Sequence, residues 1–78
     1  MSKKYIQNNI RTLRFHTNEM TQQQLADDAG VSRQTIVAIE KGKYSPSLEL
    51  AFRIAHVFKR PLEEVFMYDP PEDIHKKK

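Results

Sequence analysis

Seventy-eight residues suffice for one domain, near the lower limit of what a single hydrophobic core holds together without disulfides, metal or a second copy of the chain. Hydrophobic residues at 38% and charged residues at 29% point to a globular rather than a disordered chain, and a net charge of +3 gives only a mild bias toward polyanions. The absence of cysteine excludes disulfides and thiolate zinc sites, in keeping with a reducing cytoplasm.

In chain order, the sequence predicts five short helices with little strand between them. The first starts at Asn8 and Asn9, either of which can cap free backbone N–H groups; Ile10 and Leu13 form its apolar face, and Thr17 with Asn18 marks its end. Thr21 is the N-cap of a second helix running from Gln22 to about Ala29, with Leu25, Ala26 and Ala29 inward and Gly30 as the left-handed residue that follows. Ser32 caps a third, to about Lys41. Its Ile36 and Ile39 face the core, leaving Arg33, Gln34, Val37 and Ala38 on other faces. Gly42 ends that helix and residues 43–46 form a loop, because Pro46 disfavours helix at Ser45. Ser47 caps a fourth helix with an apolar stripe of Ala51, Ile54, Ala55 and Phe58. Pro61 opens a fifth, with Leu62, Val65 and Phe66 inward. The predicted division is a domain over residues 1–69 and a polar tail over 70–78, where Lys76, Lys77 and Lys78 follow Asp69, Glu72 and Asp73 as a solvated run.

Functional signal concentrates in residues 22–43, QQQLADDAGVSRQTIVAIEKGK. Two helices joined by so short a turn must cross steeply. The crossing needs a small residue at the contact, supplied by Ala26, and positive φ in the turn, supplied by Gly30. Val31, Ile36 and Ile39 anchor the second helix of the pair. These five positions match the helix-turn-helix pattern in residue type and spacing. A generic helical hairpin would share the glycine, but not the whole set together with the Ser32 cap. Arg33, Lys41 and Lys43 against Glu40 make this stretch locally basic.

The segment TQQQLADDAGVSRQTIVAIEKGKYSPSLELAFRIAHVF, continued by PLEEVF and preceded by NNI at residues 8–10, resembles the Cro/CI-type (XRE) helix-turn-helix family, and within it the small stand-alone regulators of the cytolysin-repressor type. The likeness spans residues 5–68, with the link from Arg14 to Thr21 one residue longer than usual. It implies an all-α, five-helix lambda-repressor-like domain that binds operator DNA as a homodimer, the helix over residues 32–41 entering the major groove. A regulator that acts as a repressor follows from the same resemblance. Position by position, it implies that Gln22 meets a phosphate and braces Arg33, and that Arg33, Gln34 and Ala38, with Val37 alongside, read bases. Side-chain chemistry agrees: arginine matches guanine O6 and N7, glutamine pairs with adenine, and valine or alanine touches a thymine methyl. An exposed Val37 beside Ala38 on a face away from the core also calls for a partner. Thr35, Lys43, Tyr44 and Arg11 are candidate phosphate contacts, which position a protein without specifying sequence. Arg14 and Glu40 match a pair that the family joins between its first and third helices.

One recognition helix reads too few base pairs to find a site in a genome, so a palindromic or pseudo-palindromic operator and a two-fold partner are expected. The candidate dimer residues are Tyr5, Ile6, Val65, Phe66, Met67 and Tyr68. The stretches flanking the helices suit strands, and the resemblance implies that residues near 5–7 pair with those near 66–68 as a small antiparallel ribbon.

Other chemistry is sparse. His16, His56 and His75 have no metal-ligand spacing, and the adjacent Glu63 and Glu64 point in different directions. No apolar run, Ile36 to Ile39 included, exceeds four residues, and MSKKY is not followed by an apolar segment, so neither a membrane span nor a signal peptide is expected. No enzyme, metal, cofactor or small-molecule ligand is indicated, and a cytoplasmic location is expected. Two alternatives carry different partners: an antitoxin or restriction-controller role with a protein partner, and a helical protein–protein interaction module. The polar, basic outer face of the third helix argues against the last.

Overall fold

The computed structural model describes residues 6–70. Tyr5 of the expected dimer set and residues 71–78 of the polar tail, His75 included, lie outside them. The order is β1 (Ile6–Asn8), α1 (Ile10–Phe15), α2 (Gln22–Ala29), α3 (Arg33–Glu40), α4 (Leu48–Phe58), α5 (Leu62–Val65) and β2 (Phe66–Tyr68). Five helices and the small ribbon are the architecture that the family resemblance implied.

Local chemistry places the helix starts. The hydroxyls of Thr21, Ser32 and Ser47 accept from the backbone N–H three residues on, at Gln24, Thr35 and Leu50, and Gln24 returns a bond to the Thr21 N–H to complete a capping box. At α1 the arrangement differs from the simple cap expected of either asparagine. Asn9 occupies the N-cap without a side-chain cap bond, and it is Asn8 Oδ1 that accepts from the Ile10 N–H at 3.1 Å.

The lengthened α1–α2 link is absorbed by two consecutive residues in the left-handed region, Asn18 (φ 55°) and Glu19 (φ 52°). The turn closes with the Met20 N–H donating to Arg14 O at 2.9 Å. Asparagine tolerates this conformation; glutamate does so at a cost.

The core lies where α1, α2, α3 and α4 meet, with Ile10, Leu25, Ala26, Ile36 and Ile54 fully buried. Ala51, Ala55 and Phe58 are buried as their stripe predicts, and Leu50 joins them. The fifth helix is a single turn, and here two expectations are corrected. Phe66 does not continue it: at φ −123°, ψ 134° it begins β2 and packs, partly buried, against the core. Val65 is 0% exposed, so it is a core residue and no part of a dimer surface. The strands pair antiparallel with Ile6 opposite Tyr68, Gln7 opposite Met67 and Asn8 opposite Phe66.

Candidate nucleic-acid interface

The helix-turn-helix is built from the turn outward. Gly30 sits at φ 79°, its N–H and that of Val31 both returning to Ala26 O at 2.9 and 3.0 Å. These bonds satisfy a carbonyl in the last turn of α2, where the helix runs out of donors of its own. Arg53 on α4 donates from Nη1 to Ala29 O at 3.2 Å, tying the same helix end to the body. Ala26, fully buried, lets α2 and α3 approach. Ile36 and Ile39 hold the inner face of α3, so Arg33 and Gln34 stand exposed while Thr35, Val37 and Ala38 are half-buried.

A chain of polar contacts runs behind this face. Arg14 donates to Glu40 from Nε at 2.7 Å and from Nη2 at 3.2 Å, and from Nη1 to Met20 O at 2.8 Å. Both members of the expected α1–α3 pair are largely withdrawn from water, with side-chain exposures of 15% and 9%. Gln22 donates from Nε2 to Glu40 Oε1 at 3.3 Å, while its Oε1 accepts from Arg33 Nη2 at a long 3.5 Å. The order Arg14–Glu40–Gln22–Arg33 thus connects the interior to the tip of α3, and the expected brace of Arg33 by Gln22 is its last link.

Arg11, Gln22, Arg33 and Val37 line one open groove along α1, α2 and α3, together with Lys41. Gln34, Thr35, Ala38, Lys43 and Tyr44 lie outside that groove, on the remaining surface of α3 and the loop after it. The Thr35 hydroxyl lies 3.0 Å from that of Ser32, and Tyr44 is exposed. Among the described residues, ion pairs engage Arg14, Arg53 and Arg60, and none engages Arg11, Arg33, Lys41 or Lys43. Arg11, Arg33, Lys41 and Lys43 therefore stand outside the described ion pairs, with Glu19 and the Arg14-bound Glu40 also lining the groove, and such cations suit a polyanion. Lys41 was legible in the sequence only as a charge at a helix end. Its place in one groove with Arg11 depends on how α1 and α3 pack.

A second surface is apolar. Ile6, Leu48 and Tyr68, at 44%, 68% and 61% exposure, border a groove of ≈ 840 Å³ that Pro46, Ala51, Leu62, Phe66 and Met67 also line. The sequence reading found the ribbon residues but not Leu48 or Pro46. These arrive from the start of α4 and the loop before it.

Two crossed helices with a positive-φ glycine turn, a second helix anchored by isoleucines and an outer face bearing cations outside the described ion pairs define a DNA-binding domain. The comparison with known proteins agrees. The helix-turn-helix family model matches residues 10–65. An uncharacterized HTH-type transcriptional regulator of Methanocaldococcus jannaschii is 56% identical over 55 residues, covering 70% of this chain and 83% of that protein. One of Methanothermobacter thermautotrophicus is 53% identical over 64 residues, covering 77% and 93%. The Bacillus subtilis regulator YgzD is 43% identical over 61 residues, covering 78% and 91%. The chain belongs to the XRE-type helix-turn-helix family of DNA-binding transcriptional regulators. Among the described residues no helix is long and apolar enough to cross a membrane.

Proposed function

We propose that the protein is a homodimeric repressor that binds a palindromic or pseudo-palindromic operator, with α3 in the major groove. The observation that carries this reading is the Arg33 guanidinium, exposed at the tip of α3, free of any described carboxylate and held from behind by Gln22. Arginine so placed fits guanine O6 and N7, and the neighbouring Gln34 fits adenine, while Val37 and Ala38 suit thymine methyls. Thr35 on that helix, with Gln22, Lys43, Tyr44 and Arg11 from α2, the following loop and α1, serve the phosphates.

The apolar groove supports the two-fold partner. Exposed Leu48 and the ribbon residue Tyr68 line this groove, which shares no lining residue with the one along α1, α2 and α3, so pairing there leaves the latter uncovered. Two-fold operators demand half-sites about 34 Å apart, one turn of duplex. A dimer seated across such a site excludes other proteins from it, and repression is the direct consequence.

The test is selection of bound DNA from a random pool, followed by titration of single substitutions against operator variants. Arg33→Ala is expected to cost about 1–3 kcal/mol on the selected site and to relax preference at one base position. Lys43→Ala is expected to weaken binding to all sequences alike and to flatten the salt dependence by about one phosphate. Equal behaviour of the two variants across the panel would refute this division, and selected sites without two-fold symmetry would refute the dimer.

A further inference from the structure

Asn8 stands where the ribbon, the start of α1 and the end of α3 meet. Its backbone belongs to β1, opposite Phe66 of β2. Its half-buried side chain is divided between the other two: Oδ1 accepts from the Ile10 N–H at 3.1 Å, and Nδ2 donates to Ile39 O at 3.0 Å, across 31 positions of sequence. The amide orientation is forced. Reversed, it would set two donors together at Ile10 and two acceptors together at Ile39. Ile39 O is among the last carbonyls of α3, which a helix leaves without partners of its own, and it also accepts from the Gly42 N–H at 3.0 Å. Next along the chain, the Asn9 N–H donates to Val65 O at 2.9 Å and its Nδ2 to Glu64 O at 3.2 Å, fixing the base of the ribbon to α5.

We propose that Asn8 is a positioning residue that sets which half-site spacing the dimer accepts, by tying the C-terminal end of α3 to the ribbon. The inference rests on the dimeric, DNA-binding reading above. In that dimer the ribbon and the apolar groove beside it are fixed against the partner. The distance and tilt between the two copies of α3 then follow from how rigidly each is joined to its own ribbon. Asn8 provides the side-chain hydrogen bond from ribbon to α3, and it acts at the end of the helix opposite Arg33 and Gln34. An eight-residue helix is about 12 Å long, so a shift at its C-terminal end moves the base-reading end by a comparable amount. The requirement for one donor and one acceptor on a short planar stem selects asparagine. Aspartate lacks the donor, and glutamine carries both groups one methylene further out.

The experiment measures affinity of the full chain for the selected operator, for the same half-sites moved apart or together by one and two base pairs, and for an isolated half-site. Asn8→Asp keeps the acceptor for Ile10 and removes the donor to Ile39. The variant is expected to remain folded and dimeric, by melting and sedimentation, and to bind the isolated half-site as the parent does. On the selected operator its affinity is expected to fall about tenfold, roughly what a hydrogen bond is worth in an equilibrium constant. Its discrimination against altered spacings is expected to shrink to within a few-fold. Should Asn8→Asp fail to fold, Asn8→Gln displaces the helix end instead of releasing it, and a broadened or shifted spacing profile is expected. A parental spacing profile in the folded variant, or an equal loss on every probe including the half-site, overturns the proposal. A parent protein that is monomeric or indifferent to spacing would instead refute the dimeric reading itself, before any Asn8 variant is compared.

Discussion

Replacing Arg14 by methionine isolates the largest electrostatic element of the fold. The guanidinium makes two bonds to Glu40 and a third to Met20 O, in a setting where the two side chains are 15% and 9% exposed. Charges about 4 Å apart in surroundings of this kind attract by roughly 4 kcal/mol, and the Met20 carbonyl loses a hydrogen bond of about 1 kcal/mol. Against this stand the recovered desolvation of the guanidinium and the burial of the methionine stem, so the expected loss is about 3–5 kcal/mol. A chain of this size holds roughly 4–12 kcal/mol in all, so the variant stands near the edge of unfolding. Much of the loss comes from the Glu40 carboxylate left behind with Gln22 as its remaining side-chain partner. Glu40→Leu is therefore expected to be costly alone, while the double variant Arg14→Met/Glu40→Leu recovers most of the loss, since neither charge is then stranded. The assay is urea unfolding followed by far-ultraviolet circular dichroism for all four proteins at one fixed concentration, since the stability of a dimer would depend on concentration. If the two single losses sum to the double loss within about 0.5 kcal/mol, the pair is not coupled and this reasoning fails.

Three further outcomes follow from the geometry. Lys59, the residue after α4, sits at φ 56° with the Arg60 N–H returning to Ala55 O, and Lys59→Gly is expected to raise stability by about 0.5–1 kcal/mol; a lower unfolding midpoint would contradict it. Ile39→Ala, at a core site 1% exposed, is expected to cost about 2–5 kcal/mol, and a melt near the parent temperature would show that α3 is not anchored there. Leu48→Lys is expected to leave the monomer core intact while shifting sedimentation at micromolar concentration toward monomer and weakening operator binding; an unchanged dimer would remove the apolar groove from the interface.

The helices were legible because their signals are local. A cap acts on the N–H groups two or three residues ahead, a positive-φ glycine acts on its own backbone, and the period of Ile36 and Ile39 or of Ala51, Ile54 and Phe58 needs only one helix to express itself. Residues 22–43 accordingly announced both the motif and the face it presents. The Arg14–Glu40 pair and the ribbon entered through family resemblance, since nothing within either segment names its partner.

What the tertiary structure decided concerns short elements and long sequence separations. A one-turn α5 has too few residues for a period to fix where it ends, so Phe66, expected within the helix, left it for β2. Leu48 and Leu50 look alike in sequence, yet one lies at the exposed start of α4 and the other inside the core. The linkages at α3, Gln22 to Glu40 across 18 positions and Asn8 to Ile39 across 31, join groups whose local sequence gives no sign of each other. They form only once hydrophobic packing has brought α1, α2 and α3 together. Sequence thus determined which face of α3 stays outside the core, and packing determined what holds that face in place.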